Sequence, residues 1–270
     1  MDNAAIRLPA RVIEHTGRQT KQHQVADAIR KAIADGIYRP GQQLPTINEL
    51  TSHYNVSRLT VRDAFKILRN EGLVTSGRGT GTFVRKAPPI VRWATGRLHR
   101  SYREQGLGPY SVDAKYAGIT PHVDAVQVSV VTFDEDLASK VDHLASDWVG
   151  TQVVQRSRTY LVGGQSLQWS VSYIPLALAE GTSIMNRDTG DGGIYARLEE
   201  AGHLIARFQE TVQARLPLID EMDKIAVGSS QPIIRTIRKA FSAEPNERVL
   251  EICDSVMSAD SYRLVYDIPG

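Results

Sequence analysis

The segment SRLTVRDAFKILRNEG, residues 57–72, has two distinct faces when it is wound as a helix. Apolar side chains recur at the i, i+3, i+4 spacing of a buried stripe, at Val61, Ala64, Phe65 and Leu68. Cationic side chains form an adjoining stripe at Arg58, Arg62, Lys66 and Arg69. Ser57 suits the N-cap and Gly72 the left-handed position beyond the end. Such a helix fits a DNA major groove, and an ordinary solvated charged face is the open alternative.

Two helical patterns precede this segment. Residues 22–34 predict an amphipathic helix whose inner face carries Val25, Ile29 and Ile33. Thr46 and Glu49 have the spacing of a capping box, and the helix that they begin has an inner face of Ile47, Leu50 and Tyr54. Asn55-Val56 joins this second helix tightly to the basic one. The three patterns together predict a helix-turn-helix.

Residues 73–86, LVTSGRGTGTFVRK, predict a glycine-rich hairpin. Leu73–Thr75 and Thr82–Val84 are β-prone, and Arg78 lies among the glycines between them. A Walker-type nucleotide site is excluded because its lysine and its following helix are missing. A wing that lies along the DNA backbone or minor groove accounts for both the glycines and the arginine.

The charge of the chain is unevenly distributed. Residues 1–86 carry a net charge of +7 and residues 87–270 carry −5, although the whole chain carries only +2. A basic, foldable segment joined to an acidic remainder is typical of a protein in which one domain meets a polyanion. The asymmetry therefore favours nucleic acid as the partner of the first third of the chain.

Length and composition indicate an ordinary globular protein of two domains, with 270 residues, 41% hydrophobic and 23% charged. No apolar run approaches the roughly 18 residues of a membrane span, and the N-terminal residues lack the order of a secretory signal. The single cysteine, Cys253, excludes an internal disulfide, and the histidines lack metal-ligand spacing. The sequence predicts a cytoplasmic protein without cofactor or metal.

The run from residue 33 to residue 84 resembles the winged helix-turn-helix of the GntR family of bacterial transcription regulators. Its elements occur in the family's order: G-x-x-x-P-G-x-x-L-P, V-S-R-x-T-V-R, E-G-L-V and G-T-F-V. The resemblance covers about residues 20–86 and implies that Arg58 and Arg62 approach base edges and phosphates. Asn48 departs from the family, which commonly has an arginine there. The implied DNA-binding residues are Thr46, Asn48, Ser57, Arg58, Thr60, Arg62, Lys66, Arg78, Gly79, Thr80, Gly81 and Thr82.

The remainder of the chain predicts an α+β domain dominated by antiparallel strands. We expect a helix over residues 92–105, ended by Gly106–Pro109. The strand-like runs are Asp124–Thr132, Thr151–Val162, Gln165–Tyr173, Leu204–Leu216, Pro232–Phe241, Arg248–Ser258 and Tyr262–Asp267. Helical patterns occur at Asp134–Leu144, Gly193–Gly202 and Leu218–Val227. Gly163-Gly164 predicts a two-residue hairpin turn.

The order of these elements and the phrase VVQRSRTYLVGGQSLQWSVSYIP resemble the effector-binding domain of the HutC branch of the GntR family. This UTRA domain has a chorismate-lyase-like fold, and the resemblance covers about residues 92–268. It implies a phosphorylated sugar or a small acidic metabolite as effector, with Gln168 replacing a frequent glutamate. The implied effector-binding residues are Arg156, Arg158, Gln168, Ser170, Tyr173, Glu210, Tyr262 and Arg263.

Arg156 and Arg158 stand two residues apart on one predicted strand. Side chains at i and i+2 point to the same face, so both guanidinium groups can reach one anion. Structural ion pairs with acidic residues of a neighbouring strand are the open alternative.

The sequence thus predicts a flexible arm over residues 1–19, a winged helix-turn-helix over 20–86, a linker over 87–91, and an effector-binding and dimerisation domain over 92–270. We expect a homodimeric repressor that binds an inverted-repeat DNA operator and is released by a small-molecule effector. Two other functions stay open. One is a chorismate-lyase-like enzyme, and the other is a DNA-binding dimer that responds to no ligand.

Overall fold

In the computed structural model the chain divides into two units. The first comprises Met1–Ala87 with Val227–Gln231, and the second comprises Pro88–Ala226 with Pro232–Gly270. The structure describes residues 13, 19–77, 81–85, 90–120, 122–162 and 164–268. Most of the predicted arm and residues 87–89 of the predicted linker lie outside these ranges.

The described part of the first unit contains three helices and a hairpin. The elements are α1 Lys21–Ala34, α2 Ile47–Tyr54, α3 Arg58–Asn70, β1 Val74–Gly77 and β2 Gly81–Val84. The predicted buried stripe of α3 is confirmed, because Val61, Ala64, Phe65 and Leu68 are all buried. They pack in one cluster with Val25 and Ile29 of α1. Burying a side chain such as Leu68 contributes about 1.5–3 kcal/mol, so this stripe fixes α3 in the unit.

The ends of α2 and α3 form as their sequences predict. The Thr46 hydroxyl accepts from the Glu49 amide at 3.3 Å, and the Glu49 carboxylate accepts from the Thr46 amide at 2.7 Å. This closes the predicted capping box. Asn55 has a φ of 50° where α2 turns into α3, and Gly72 has a φ of 72° just after α3. The tight turn of the predicted helix-turn-helix is therefore present.

The predicted hairpin is present as β1 and β2, which pair antiparallel. The loop before α2 lies along its outer strand: the Leu44 amide donates to the Thr82 carbonyl at 2.8 Å, and the Val84 amide donates to the Gln42 carbonyl at 2.8 Å. These bonds fix the hairpin to the helical part of the unit. Residues 78–80 at the tip, including Arg78, Gly79 and Thr80, lie outside the described residues.

The second unit is an α+β structure around a six-stranded antiparallel sheet of order β4-β5-β6-β9-β8-β7. A separate parallel pair is formed by β3 and β10. The strands are β3 Ile90–Trp93, β4 His122–Thr132, β5 Gln152–Val162, β6 Gln165–Pro175, β7 Ile205–Arg215, β8 Ile233–Ser242, β9 Val249–Ser258 and β10 Tyr262–Val265. The helices are α4 Arg100–Glu104, α5 Pro109–Ala117, α6 Glu135–Lys140, α7 Leu176–Ala179, α8 Gly193–Glu200 and α9 Ile219–Lys224.

The central strands of the sheet, β5, β6, β8 and β9, are buried on both faces, and neighbouring residues of one strand belong to different cores. Val153 of β5 packs with Phe133 and Trp148 on one face. Val154 packs with Tyr195 and Leu198 of α8 on the other. This alternation follows from the period of two of a β-strand. The α8 face also carries the cavity described below.

Two predictions for the second unit are wrong. Residues 92–105 are not one helix, because Ile90 and Arg92 are buried while Trp93 is exposed, which is the alternation of a strand. The helix α5 is not predicted from the sequence, because Gly108-Pro109 is interpreted as a stop. In the structure Pro109 occupies the first turn of α5, where its missing amide costs no hydrogen bond.

The other predicted strands and helices of the second unit are confirmed, with α6 and α9 shorter than expected. Gly163 lies outside the described residues, but Val162 pairs with Gln165, as a two-residue hairpin connection requires.

Candidate nucleic-acid interface and ligand cavity

The outer face of α3 carries cations at successive turns. The side chains of Arg58, Arg62, Lys66 and Arg69 are exposed. Within the described residues, none of the four has a carboxylate within 4.0 Å. A row of uncompensated cations on a helix face can bind the phosphates of a nucleic-acid backbone without first breaking an internal ion pair.

The predicted contact residues at the helix starts hold the local fold. The Ser57 hydroxyl accepts from the Thr60 amide at 3.1 Å, and the two hydroxyls lie 2.9 Å apart. Hydrogen bonds from the backbone and then the hydroxyl of Thr46 lower the pKa of Glu49. Both pairs are largely exposed, so they stand at the surface as they orient the first turns of α2 and α3.

The remaining predicted contact residues lie on α2 and on the hairpin. Asn48 is exposed in the first turn of α2. Gly81 and Thr82 begin β2, and Gly81 has a φ of 113°, which a residue with a Cβ rarely adopts. A Cβ at Gly81 would also lie 2.5 Å from Nε2 of Gln43. Gly81 therefore sets the path of the hairpin.

Leu59 was not predicted as a contact residue. It lies between Arg58 and Thr60 in the first turn of α3, and its side chain is 65% exposed. A large apolar side chain at this position stands among the cations instead of in the core. The helical wheel carries this signal, because position 59 falls outside the apolar stripe.

The second unit contains a cavity of about 590 Å³ on the α8 face of the sheet. Its floor lies on two rows of residues in register across four paired strands. One row is Arg156, Ser172, Cys253 and Arg238, and the other is Arg158, Ser170, Ser255 and Thr236. All of these except Ser172 and Thr236 line the cavity. Loops 106–109 and 187–193 line its mouth and are joined by a hydrogen bond from the Gly192 amide to the Gly106 carbonyl at 2.8 Å.

Arg156 and Arg158, which we call the near arginine pair, line the cavity as their spacing predicts, but they have different contacts. Arg156 donates to the backbone carbonyls of Ile184, Asn186 and Arg187. Arg158 donates to the hydroxyl of Ser172. Among the described residues neither guanidinium has a carboxylate within 4.0 Å, so the predicted alternative of structural ion pairs is absent there.

The two arginines therefore differ in what they can still bind. Arg156 holds the loop before α8, and burial, followed by the charge of Arg158, lowers the pKa of Arg156 to about 10. The Nε atoms of both arginines are buried without an acceptor, but Arg158 uses a single hydrogen bond within the described protein whereas Arg156 uses three. Arg158 therefore keeps more donors with which to bind an anion in the cavity.

Gln168 and Ser170 also line the cavity. Gln168 donates to the Ser170 hydroxyl at 2.8 Å, which lies 2.8 Å from the hydroxyl of Ser255. This row of hydrogen-bonded side chains presents neutral donors and acceptors to the cavity.

Four predicted effector residues do not line the cavity: Tyr173, Glu210, Tyr262 and Arg263. Tyr173 lies on the opposite face of β6, where it packs against Phe133. Glu210 is behind the lining, where its carboxylate binds Arg92 at 2.6 Å. Tyr262 and Arg263 belong to the separate β3–β10 pair, with Tyr262 in a small core and Arg263 exposed.

Sequence reasoning missed most of the opposite end of the cavity. Its cations are Arg92, Arg97 and Arg238, which we call the far arginine cluster, and they line the cavity with Tyr195 and Glu251. Tyr195 donates to the Glu251 carboxylate and accepts from Arg238 Nε at 2.8 Å. Glu251, Cys253 and Ser255 alternate with Ile252 and Val256 along β9, and this alternation is the signal in the sequence that could have indicated the floor.

A winged helix-turn-helix with an exposed cationic second helix, joined to a unit with an arginine-lined cavity, defines a DNA-binding transcription regulator. Residues 21–84 match the family described as bacterial regulatory proteins, gntR family, and residues 117–263 match the UTRA domain. The chain belongs to the GntR family and carries a UTRA domain.

Relatives of similar length are transcription regulators. The chain is 25% identical over 247 residues to the transcriptional repressor NagR of Bacillus subtilis, covering 90% of this chain and 93% of NagR. It is 28% identical over 225 residues to the transcriptional repressor PhnF of Mycolicibacterium smegmatis, covering 83% of each chain.

Solved structures share the fold of the chain. A crystal structure of a GntR-family transcriptional regulator matches with a TM-score of 0.56 at 26% identity, covering 93% of this chain and 98% of that chain. The crystal structure of PhnF from Mycobacterium smegmatis matches with a TM-score of 0.55 at 23% identity, covering 91% and 99%. Among the described residues, no helix is long and apolar enough to cross a membrane.

Proposed function

We propose that this chain is a homodimeric repressor that leaves its DNA operator when a small anionic metabolite occupies the arginine-lined cavity. The observation that carries the proposal is that one chain has both a row of uncompensated cations on α3 and a cavity in which Arg158 retains free hydrogen-bond donors. NagR and PhnF, to which the chain is similar over both units, are described as repressors. A regulator of this kind acts in the cytoplasm, where the chromosome is.

In the DNA-bound state we place α3 in the major groove. Arg58 and Arg62 contact base edges and phosphates, while Lys66 extends the phosphate contacts along the same face. Ser57 and Thr60 position the first turn of the helix, as Thr46 does for α2. Asn48 contributes a polar contact from α2, and the hairpin from Gly81 and Thr82 lies along the backbone. Two-fold symmetry of the dimer demands an inverted repeat in the operator.

In the effector-bound state Arg158 binds the anionic group directly. Arg156 supports the site by holding the loop at residues 184–187, and Gln168 and Ser170 bind the polar part of the effector. Burial of the anion among these groups strengthens its hydrogen bonds to Arg158. Coupling of about 1–3 kcal/mol between effector and operator sites is typical of allosteric proteins and suffices to release DNA.

An enzymatic role has less support. The hydroxyls of Ser170 and Ser255 bind each other, and no histidine is among the described residues that line the cavity. A serine nucleophile needs a base within hydrogen-bond reach. We therefore favour binding without catalysis.

The test is a fluorescence-anisotropy titration of the full chain on DNA from upstream of its own gene, beside shuffled DNA of the same composition. We expect tight binding to the upstream DNA alone, and release when phosphorylated and carboxylated metabolites are added one at a time. Arg158→Gln is expected to bind DNA like the parent but to resist release. Arg100→Gln, which changes an exposed arginine outside the cavity lining, is the matched control and should be released like the parent.

Two results would contradict the proposal. Equal affinity for upstream and shuffled DNA would contradict sequence-specific binding to an operator in the upstream DNA. If the Arg158→Gln variant is released from DNA at the same effector concentration as the parent, effector binding at Arg158 in the cavity does not cause the release.

A further inference from the structure

We infer that the cavity takes an effector with two acidic groups on a hydroxylated spacer, and that the second acid binds the far arginine cluster of Arg92, Arg97 and Arg238. The inference rests on the proposed function and adds the chemical class of its effector. The first acidic group binds Arg158 at the opposite end of the cavity.

The two cationic ends are separated by the width of four strands. Arg156 on β5 is in register with Ser172 on β6, then Cys253 on β9, then Arg238 on β8. Strands lie about 4.8 Å apart, so three steps place the Cα atoms of Arg156 and Arg238 roughly 14 Å apart. The guanidinium groups follow the same order, because that of Arg158 binds the Ser172 hydroxyl on β6, whereas that of Arg92 lies 3.2 Å from the Thr236 hydroxyl on β8, two strands further across the sheet. An elongated molecule with an acid at each end therefore fits the two groups better than one small anion.

The far arginine cluster has few direct carboxylate partners. Arg92 binds Glu210 at 2.6 Å and Arg97 binds Asp113 at 3.0 Å. Arg97 and Arg238 also approach the same Glu210 oxygen, at 3.6 Å and 3.9 Å. Three guanidinium groups thus lie within 4.0 Å of only two carboxylates, and Glu251 reaches Arg238 only through the hydroxyl of Tyr195. An acidic group of the effector would add a direct partner for these buried cations.

Hydrogen-bond donors in this cluster are also unused. Arg97 is 5% exposed and Arg92 is 1% exposed. The Nε and Nη2 atoms of Arg97 and the Nε atom of Arg92 are buried without a hydrogen-bond partner in the described protein. Buried donors of this strength normally have acceptors. Because both residues line the cavity, a carboxylate or phosphate there would supply them.

The floor between the two ends determines the spacer. It is lined by the hydroxyls of Ser170 and Ser255 and the thiol of Cys253, which lies 3.5 Å from the Ser255 hydroxyl. Hydroxyl groups donate and accept, so they match the hydroxyls of a sugar acid better than a bare hydrocarbon chain. The class of effector is therefore a phosphorylated sugar acid or a hydroxylated dicarboxylic acid.

Arg92 and Arg97 come from a different part of the chain than the near arginine pair. They lie on β3 and in the turn that follows it, immediately after residues 86–89. An acid bound there would change the contacts of the segment that enters the second unit. A second acidic group therefore offers a direct way to couple cavity occupancy to the start of this unit.

The test is isothermal titration calorimetry of the full chain with three six-carbon probes. 6-Phosphogluconate carries a phosphate and a carboxylate, glucose 6-phosphate carries the phosphate alone, and gluconate carries the carboxylate alone. We expect 6-phosphogluconate to bind at least about tenfold more tightly than either single acid. Arg97→Gln is expected to abolish this advantage and to leave the affinity for glucose 6-phosphate unchanged.

Two further variants keep the result interpretable. Arg97→Gln combined with Asp113→Asn removes both members of the buried pair, so that no charge is left unpaired if the single variant fails to fold. Arg100→Gln changes an exposed arginine that pairs with Glu104, and it should leave all three affinities unchanged.

The outcomes separate the inference from the proposed function. Binding of glucose 6-phosphate without any gain from the added carboxylate would overturn the inference and leave the anionic effector site standing. An equal loss for all three probes in the Arg97 variants would assign Arg97 a structural role, and would also overturn it. Binding of none of the probes would overturn the inference, while operator binding would still be decided by the DNA titration.

Discussion

The cation row of α3 leads to a quantitative prediction for Arg62→Ala. Arg62 is exposed and, in the described part of the chain, has no carboxylate within 4.0 Å. Its removal therefore costs little stability, within about 0.5 kcal/mol. In a symmetric dimer the substitution removes two cations from the DNA complex, one from each subunit.

The magnitude follows from counterion release. Each phosphate contact contributes about −0.9 to the slope of log affinity against log salt, so the variant should have a slope that is shallower by about 1.8. Between about 50 and about 200 mM salt, the loss of affinity should then be about tenfold smaller for the variant than for the parent.

The assay is anisotropy titration at four salt concentrations on operator and shuffled DNA. Lys31→Ala is the matched control, because Lys31 is exposed on α1 of the same unit but pairs with Asp35 at 2.7 Å. The control should keep the parental slope. A parental slope together with parental affinity for Arg62→Ala would refute the placement of α3 on DNA. A parental slope with lost discrimination between the two DNAs would refute the phosphate contact and leave a base contact.

Three more predictions test individual features. Ser57→Ala removes the cap of α3 and should lower the free energy of unfolding of the first unit by about 1 kcal/mol in urea titrations. Ser52→Ala, at an exposed position of α2, should change it less, and equal effects would contradict the role of the cap. Leu59→Ala should weaken discrimination between operator and shuffled DNA without changing the salt slope, because an apolar side chain here can contact a thymine methyl group; unaltered discrimination would remove Leu59 from the interface. Burial alone would raise the pKa of Glu210, but Arg92, Arg97 and Arg238 outweigh it and hold the pKa below its ordinary value. The ionised carboxylate therefore stabilises the fold at pH values above the unfolded pKa, and this stability is lost as the pH falls through the lower folded pKa. Between about pH 6 and about pH 3, Glu210→Gln should lose less free energy of unfolding than the parent in urea titrations. An equal loss in the variant and the parent would contradict this.

Local sequence decided most of the first unit. The caps at Thr46 and Ser57, the buried stripe of α3 and the turn at Gly72 depend on residues within a few positions of one another, so short-range spacing was sufficient to predict them. The cation face of α3 followed from the same spacing.

The cavity depended only partly on such spacing. Arg156 and Arg158 were placed on one face because strand residues alternate, and both line the cavity. The same period of two places Tyr173 on the face of β6 opposite to Gln168 and Ser170. Strand alternation alone therefore contradicts its assignment to the effector site. Gln168 and Ser170, which the resemblance to the effector-binding domain implies, line the cavity because they share the parity of its face of β6.

Tertiary structure alone decided the far end of the cavity. Arg92 approaches Glu210, Thr236 and Met257, which are more than a hundred positions away in the chain. No local period links β3 to these strands, so Glu210 was assigned to the effector when its carboxylate in fact compensates buried arginines. The sequence determined which helix presents cations and which strand carries the near arginine pair, since both follow from the repeat of a single element. Which arginines keep free donors depended on long-range packing, because a guanidinium's partners are set by the strands and loops folded around it.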